Sequence, residues 1–167
     1  MKYRFSLTLR PAVIGAFAGL ALLLAGCAGF GGPKPVTPAW QRLVVAAAPD
    51  ANADSALAVD LVLVKDKAVL ATLSAMTASR YFATKAELLR AYPDALSLLA
   101  VEITPGQLIR IERKQYEAER AWAALAFANY ATPGAHRIRV PLESKACLLQ
   151  LNAQGFVVSD DRTGPAR

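Results

Sequence analysis

Histidine and cysteine are nearly absent from this sequence: 167 residues contain one histidine, His136, and two cysteines, Cys27 and Cys147. A lone histidine excludes a histidine-based metal cluster. Nothing in the sequence brings His136 and Cys147 together as a catalytic dyad, and structural roles suit both. No glycine-rich phosphate loop follows a strand pattern, and no serine sits in a nucleophile-elbow motif. Glu112, Glu117 and Glu119 resemble an acid/base set only superficially, because a charge run beside a turn reads as a solvated end. The chain is therefore not expected to be an enzyme, nor to carry a cofactor, a metal or a small-molecule substrate. Long apolar runs are also missing. The most extended, Ala12 to Ala25, falls short of the roughly 20 residues that a spanning helix needs.

That run has a specific setting. Lys2, Arg4 and Arg10 form a basic region before it, and no acidic residue occurs before Cys27. This is the order of an export signal over residues 1–26. Leu24-Ala25-Gly26-Cys27 resembles the lipobox of bacterial lipoproteins. The resemblance implies cleavage between Gly26 and Cys27, attachment of a diacylglycerol to the thiol, and acylation of the freed amine. A cysteine suits that position because its thiolate is the nucleophile that alkylates. Several acyl chains exceed the two signals needed for stable anchoring. Ala28, Gly29 and Phe30 follow, with no aspartate to mark retention at the inner membrane. The resemblance thus places the protein on the inner leaflet of the outer membrane, facing the periplasm.

Three of the 19 Lys+Arg lie in the signal, which leaves 16 against 13 Asp+Glu, or +3, for the mature chain. So small an excess is no nucleic-acid footprint. With Cys27 lipidated, Cys147 has no intramolecular partner and reads as a small buried hydrophobe in Ala146-Cys147-Leu148-Leu149. Residues 27–39, rich in glycine and proline, read as a lipidated tether, residues 40–160 as the folded domain, and 161–167 as a polar tail.

Within the domain, Leu43-Val44-Val45 and Ala58 to Val64 read as strands. Val69, Leu70, Leu73, Met76 and Tyr81 recur at helical spacing and predict one amphipathic helix over 67–81. Thr84-Lys85-Ala86-Glu87 reads as a capping box opening a second short helix that stops before Pro93. Alternation returns at Leu98 to Ile103, Leu108 to Arg113 and Ile138 to Val140. Residues 113–120 are dense in charge and read as a solvated hairpin end, and 121–130 fit a strand or a helix. Asn152 to Gly155 between two apolar runs is a hairpin signal. The expected fold is an all-β sandwich of seven or eight strands with a helical insertion between early strands.

In this order of elements the chain resembles the outer-membrane lipoproteins of type VI secretion systems, the TssJ family. The resemblance rests on Val62-Leu63-Val64-Lys65-Asp66 leading into a helical insertion with Tyr81-Phe82, on Pro105-Gly106-Gln107, and on Ala123 to Tyr130. His136-Arg137 stands where the family has a tryptophan–arginine pair, and Leu63 where it has a nearby aromatic. The family implies a transthyretin-like sandwich that docks the periplasmic domain of an inner-membrane secretion component. Loops and insertions concentrate partner contacts, so Lys65, Asp66, Lys67, Tyr81 and Phe82 are the candidate docking residues, beside Cys27 for lipidation. A pilotin-like lipoprotein that stabilises another envelope protein is the alternative. Cys27→Ser is expected to abolish acylation, checked by metabolic labelling with a palmitate analogue; label retained on the serine variant contradicts the lipobox.

Overall fold

The structure is a computed structural model and describes residues 33–160. Cys27, the signal region and the tail at 161–167 lie outside these residues. The chain divides into Met1–Lys34 and Pro35–Arg167, and the second unit holds all the strands and helices described. The strands are β1 (Arg42–Ala47), β2 (Leu57–Val64), β3 (Leu96–Ile103), β4 (Leu108–Ile111), β5 (Ala123–Ala128), β6 (Arg137–Val140), β7 (Ala146–Leu151) and β8 (Phe156–Ser159). Helices α1 (Lys67–Ala75) and α2 (Ala78–Ala91) lie between β2 and β3. This is the all-β sandwich with a helical insertion that the sequence implied.

Two four-stranded sheets face each other, in the orders β4-β1-β7-β8 and β3-β2-β5-β6. All named pairs are antiparallel except β1 with β7, where Leu43 stands opposite Cys147. Alternation sets the inner faces. Leu43, Val45 and Ala47 of β1, Leu57, Val59, Leu61 and Leu63 of β2, and Cys147, Leu149 and Leu151 of β7 share one core with Trp40. Each leucine-sized side chain there contributes about 1.5–3 kcal/mol by leaving water. A one-residue slip of β2 would turn four of them outward, so its register is strongly specified.

A second apolar cluster lies on the other face of the β3-β2-β5-β6 sheet. Val62, Val64, Leu125 and Phe127 meet Val69 and Leu73 of α1 and Tyr81 and Leu88 of α2. Strand β2 is therefore buried on both faces, which explains its nearly unbroken apolar sequence. Two-sided burial also decides residues 121–130 in favour of strand, because β5 is buried at all six positions between β2 and β6.

One charge interrupts β2. Asp60 is 2% exposed, and its carboxylate accepts from the Tyr81 hydroxyl at 3.0 Å and pairs with Lys85 Nζ at 2.7 Å. The Tyr81 ring stacks on Phe127, with ring centroids 4.1 Å apart. Burial first, then the charge and hydrogen bond of Asp60, raise the Tyr81 phenol well above the usual tyrosine range. The phenol stays protonated and keeps donating. Lys85 is partly exposed, so its ammonium meets the carboxylate while its solvation is only partly lost.

Four expectations need correction. The helix expected over 67–81 is two helices, with Asp66 capping α1 through the Ala68 amide and Thr77 capping α2 through the Arg80 amide. The break is tertiary: Ala78 donates to the Ala135 carbonyl, and the Arg137 guanidinium donates to the Met76 carbonyl. Thr84 caps nothing. It lies inside α2 and its hydroxyl donates back to the Arg80 carbonyl at 2.9 Å. Residues 113–120 are no hairpin end. They carry the chain from β4 in one sheet to β5 in the other, and Tyr116, 1% exposed, closes the core beside Trp40. Finally, the compact unit starts at Pro35, ahead of Trp40, because Val36 exchanges two backbone hydrogen bonds with Ala121 and the Trp40 indole donates to Pro141.

Two measurements test this packing. Lys85→Met leaves the Asp60 carboxylate with one hydroxyl partner and is expected to cost about 2–3 kcal/mol in chemical unfolding, below the roughly 3–5 kcal/mol of a fully buried pair because Lys85 is partly exposed. A cost below about 0.5 kcal/mol contradicts the pairing. Cys147 is 1% exposed, and burial pushes its thiol up to about 11. Native protein is expected to resist thiol reagents until denaturant is added, and Cys147→Ala to cost about 1–2 kcal/mol.

Candidate docking surface

The sandwich has two unlike ends. The proximal end, where Pro35 joins the domain, collects the last residues of β2, β4, β6 and β8 and the first of β1, β3, β5 and β7. The distal end carries the connections 48–56, 104–107, 129–136 and 152–155.

Lys65, Asp66 and Lys67 follow β2 at the proximal end. Lys65 Nζ pairs with Glu119 at 3.0 Å, and Ser97 donates to the other Glu119 oxygen at 2.8 Å. The hydrogen bonds from Lys65 and then Ser97 hold the Glu119 carboxyl below the usual range. The contribution of this cluster to stability is therefore present above the ordinary glutamate pKa and is lost as pH falls through the lowered one. Asp66 caps α1. Lys67 Nζ lies 5.6 Å from the centre of the Trp122 ring. Tyr81 is buried, and half-buried Phe82 packs edge-on against it with centroids 5.2 Å apart. The five candidate residues do not form one exposed patch. Lys65, Asp66 and Tyr81 hold the fold together, and Lys67 is the exposed side chain without such a task.

The glutamates weighed as an acid/base set are likewise engaged: Glu112 with Lys114 at 2.6 Å, Glu117 with Arg113 at 3.4 Å, and Glu119 as above. His136 stacks on Tyr130 at the distal end, with its Nε2 at 2.8 Å from the Thr132 carbonyl. Cys147 belongs to the core. Among the described residues no group of three or more His, Cys, Asp and Glu is placed to hold a metal, and no helix is long and apolar enough to cross a membrane.

The distal connections are tied into one platform. Buried Asn52 donates to the Ala56 carbonyl at 3.2 Å and accepts from the Ala131 amide at 2.9 Å. The Tyr130 hydroxyl lies 2.6 Å from the Gly155 carbonyl and 3.1 Å from that of Asn152. The Gly106 amide donates to Ala47 at 3.0 Å. Asn52, Ala53 and Asp54 have φ of 49°, 52° and 61°, three consecutive left-handed residues without a glycine. Such backbone costs free energy, most clearly at Ala53, and persists only where the surroundings fix it. Here the Asn52 amide does so, and it leaves Ala53, Asp54 and Ser55 exposed at the tip. Asn, Asp and Ser are ordinary turn residues, and only the distant partner Ala131 gives Asn52 its role.

No protein-family model and no curated protein sequence matches this chain. Solved structures do. The type VI secretion lipoprotein TssJ1 of Pseudomonas aeruginosa superposes with a TM-score of 0.51 at 22% identity, over 78% of this chain and 99% of that one. Serratia marcescens Lip, a membrane-bound component of the type VI secretion system, gives a TM-score of 0.51 at 16% identity, over 71% and 95%. A chain of a type VI membrane complex gives 0.54 at 13% identity, over 75% and 98%. The first two are named as a lipoprotein and a membrane-bound component, and none of the three is named as an enzyme. The helix-bearing β-sandwich described here is thus the fold of TssJ-type lipoproteins of type VI secretion systems.

Proposed function

We propose that this protein is an outer-membrane lipoprotein, anchored through Cys27 on the periplasmic face, that serves as a structural component of a type VI secretion membrane complex. It docks the periplasmic domain of an inner-membrane partner. The observation that carries this reading is the lipobox cysteine ahead of a sandwich that covers 99% of a type VI secretion lipoprotein. The chemistry agrees in the residues first weighed for catalysis, since Glu112, Glu117 and Glu119 are each engaged in an ion pair.

The geometry favours the distal platform as the docking surface. An anchor that precedes Pro35 holds the proximal end near the membrane and turns the distal connections toward the periplasm. A strained, exposed tip fixed by buried hydrogen bonds loses little conformational freedom on binding. Its exposed charges are acidic, Asp50 and Asp54, and suit a basic partner surface. Lys65, Asp66 and Lys67 at the other end, with Phe82 on α2, remain the competing surface.

Surface plasmon resonance against the periplasmic domain of the partner separates the two. Asp50→Asn with Asp54→Asn, which removes charge while keeping a residue that tolerates left-handed backbone, is expected to slow association several-fold at low salt. Lys67→Glu is expected to leave binding unchanged. The opposite pattern returns docking to the 65–67 stretch. No binding by the parent to any inner-membrane component of a secretion complex favours the pilotin-like role.

A further inference from the structure

The proximal end carries a patch that the docking function does not use. Val36 exchanges two 2.9 Å backbone hydrogen bonds with Ala121, and the neighbouring Arg120 guanidinium donates to the Pro35 carbonyl at 3.0 Å. On the other side of Ala121, the Trp122 ring lies under Lys67. Arg120 and Lys67 are exposed, Trp122 is half-buried, and Val36 is 40% exposed. Tyr92, at the C-cap of α2 before β3, is another exposed large apolar side chain of this end. We propose that this end is a lipid-facing surface, with Val36, Lys67, Arg120 and Trp122 resting on the phospholipid headgroups of the leaflet that holds the anchor. This rests on the lipidation of Cys27.

Chain length supplies the first reason. From Cys27 to Pro35 is eight residue steps, at most about 28 Å when fully extended. The domain cannot lengthen this leash by peeling, because Val36, Ala39 and Gln41 are all hydrogen-bonded to the sandwich. The proximal end therefore lies within that distance of the bilayer.

Composition supplies the second. Tryptophan and tyrosine, with an apolar body and a polar tip, and lysine and arginine, with an apolar stem and a charged head, are the side chains that settle at a lipid–water boundary. The carboxylates around the patch are largely spent. Asp66 caps α1, Glu119 holds Lys65, and Glu112 and Glu117 pair with Lys114 and Arg113. Lys67 and Arg120 remain to meet phosphate, against Asp94, Glu143 and Asp160, which are exposed at the same end. The surface is mixed, so it orients a domain already anchored and does not recruit one from solution.

The chain has two tryptophans, and Trp40 is fully buried, so Trp122 is a built-in reporter. Full-length acylated protein, its acylation verified by mass, is placed in vesicles of phosphatidylethanolamine and phosphatidylglycerol that include a phospholipid with a nitroxide on its headgroup. In Trp40→Phe, whose sole tryptophan is Trp122, at least half of the fluorescence is expected to be quenched. In Trp122→Phe, whose sole tryptophan is Trp40, little quenching is expected. Adding Lys67→Glu and Arg120→Glu to the first variant is expected to remove most of its quenching without loss of acyl chains. An acylated protein whose Trp122 is quenched no more than Trp40, or equally with and without the charge reversals, overturns the proposal and leaves the lipoprotein reading intact. A protein that is not acylated overturns both.

Discussion

A single buried carboxylate dictates much of this architecture. Asp60 sits in the middle of an apolar strand with its flanks in a close-packed core, where an uncompensated charge would cost several kcal/mol. Its compensation comes from one helix, through the Tyr81 hydroxyl and the Lys85 ammonium four residues further on, which share a face of α2. Any arrangement of the insertion that leaves this face elsewhere strands the charge. The helices are thereby held on the β3-β2-β5-β6 sheet, and stacking of Tyr81 on Phe127 adds apolar contact to the same point. The opposite sheet has no such clamp, and its outward side chains Leu108 and Val157 are more than half exposed.

That clamp also decides which residues are available to other molecules. Tyr81 looks like a binding anchor in the sequence, an aromatic in an insertion, yet its ring and hydroxyl are both consumed internally. Lys65 and Asp66 are consumed likewise by Glu119 and by the α1 amides. The surface left over divides by end. The distal connections are locked together by Asn52 and Tyr130 and present a strained acidic tip. The proximal end receives the N-terminal segment and carries basic and aromatic side chains. The two ends of the sandwich therefore offer unlike surfaces, one basic and aromatic and the other a rigid acidic platform.

Much of this was legible without coordinates, and the failures share a cause. Alternation placed the later strands, and the turn at Asn152–Gly155 fixed the β7–β8 hairpin, because both are local signals. Thr84-x-x-Glu87 had the spacing of a capping box but lay within a longer helix whose cap, Thr77, was set by where Ala135 and Arg137 meet the chain. Tyr116 sits among charges in the sequence, although its ring closes the core beside Trp40. Asp60 carries a sequence signal of its own. A charged residue at the centre of a strand buried on both faces demands a partner, and the helical spacing of Tyr81 and Lys85 could have named it.

The amino-acid sequence alone determined the strand periodicity and the position of the helical insertion, and it alone carries the lipobox-like stretch Leu24-Ala25-Gly26-Cys27. Each of these depends on residue type and spacing within a few positions of the chain. Only the tertiary structure decided that one sheet is covered and the other bare, that the helix breaks at Met76, and that Tyr81 faces inward. It alone brought Asn52 to Ala131 and Val36 to Ala121, which separate the two ends of the domain. Those facts depend on pairings between residues tens of positions apart. Such pairings are selected by the free energy of burying Asp60, Trp40 and the β2 leucines together, a sum over the whole core that no local pattern records.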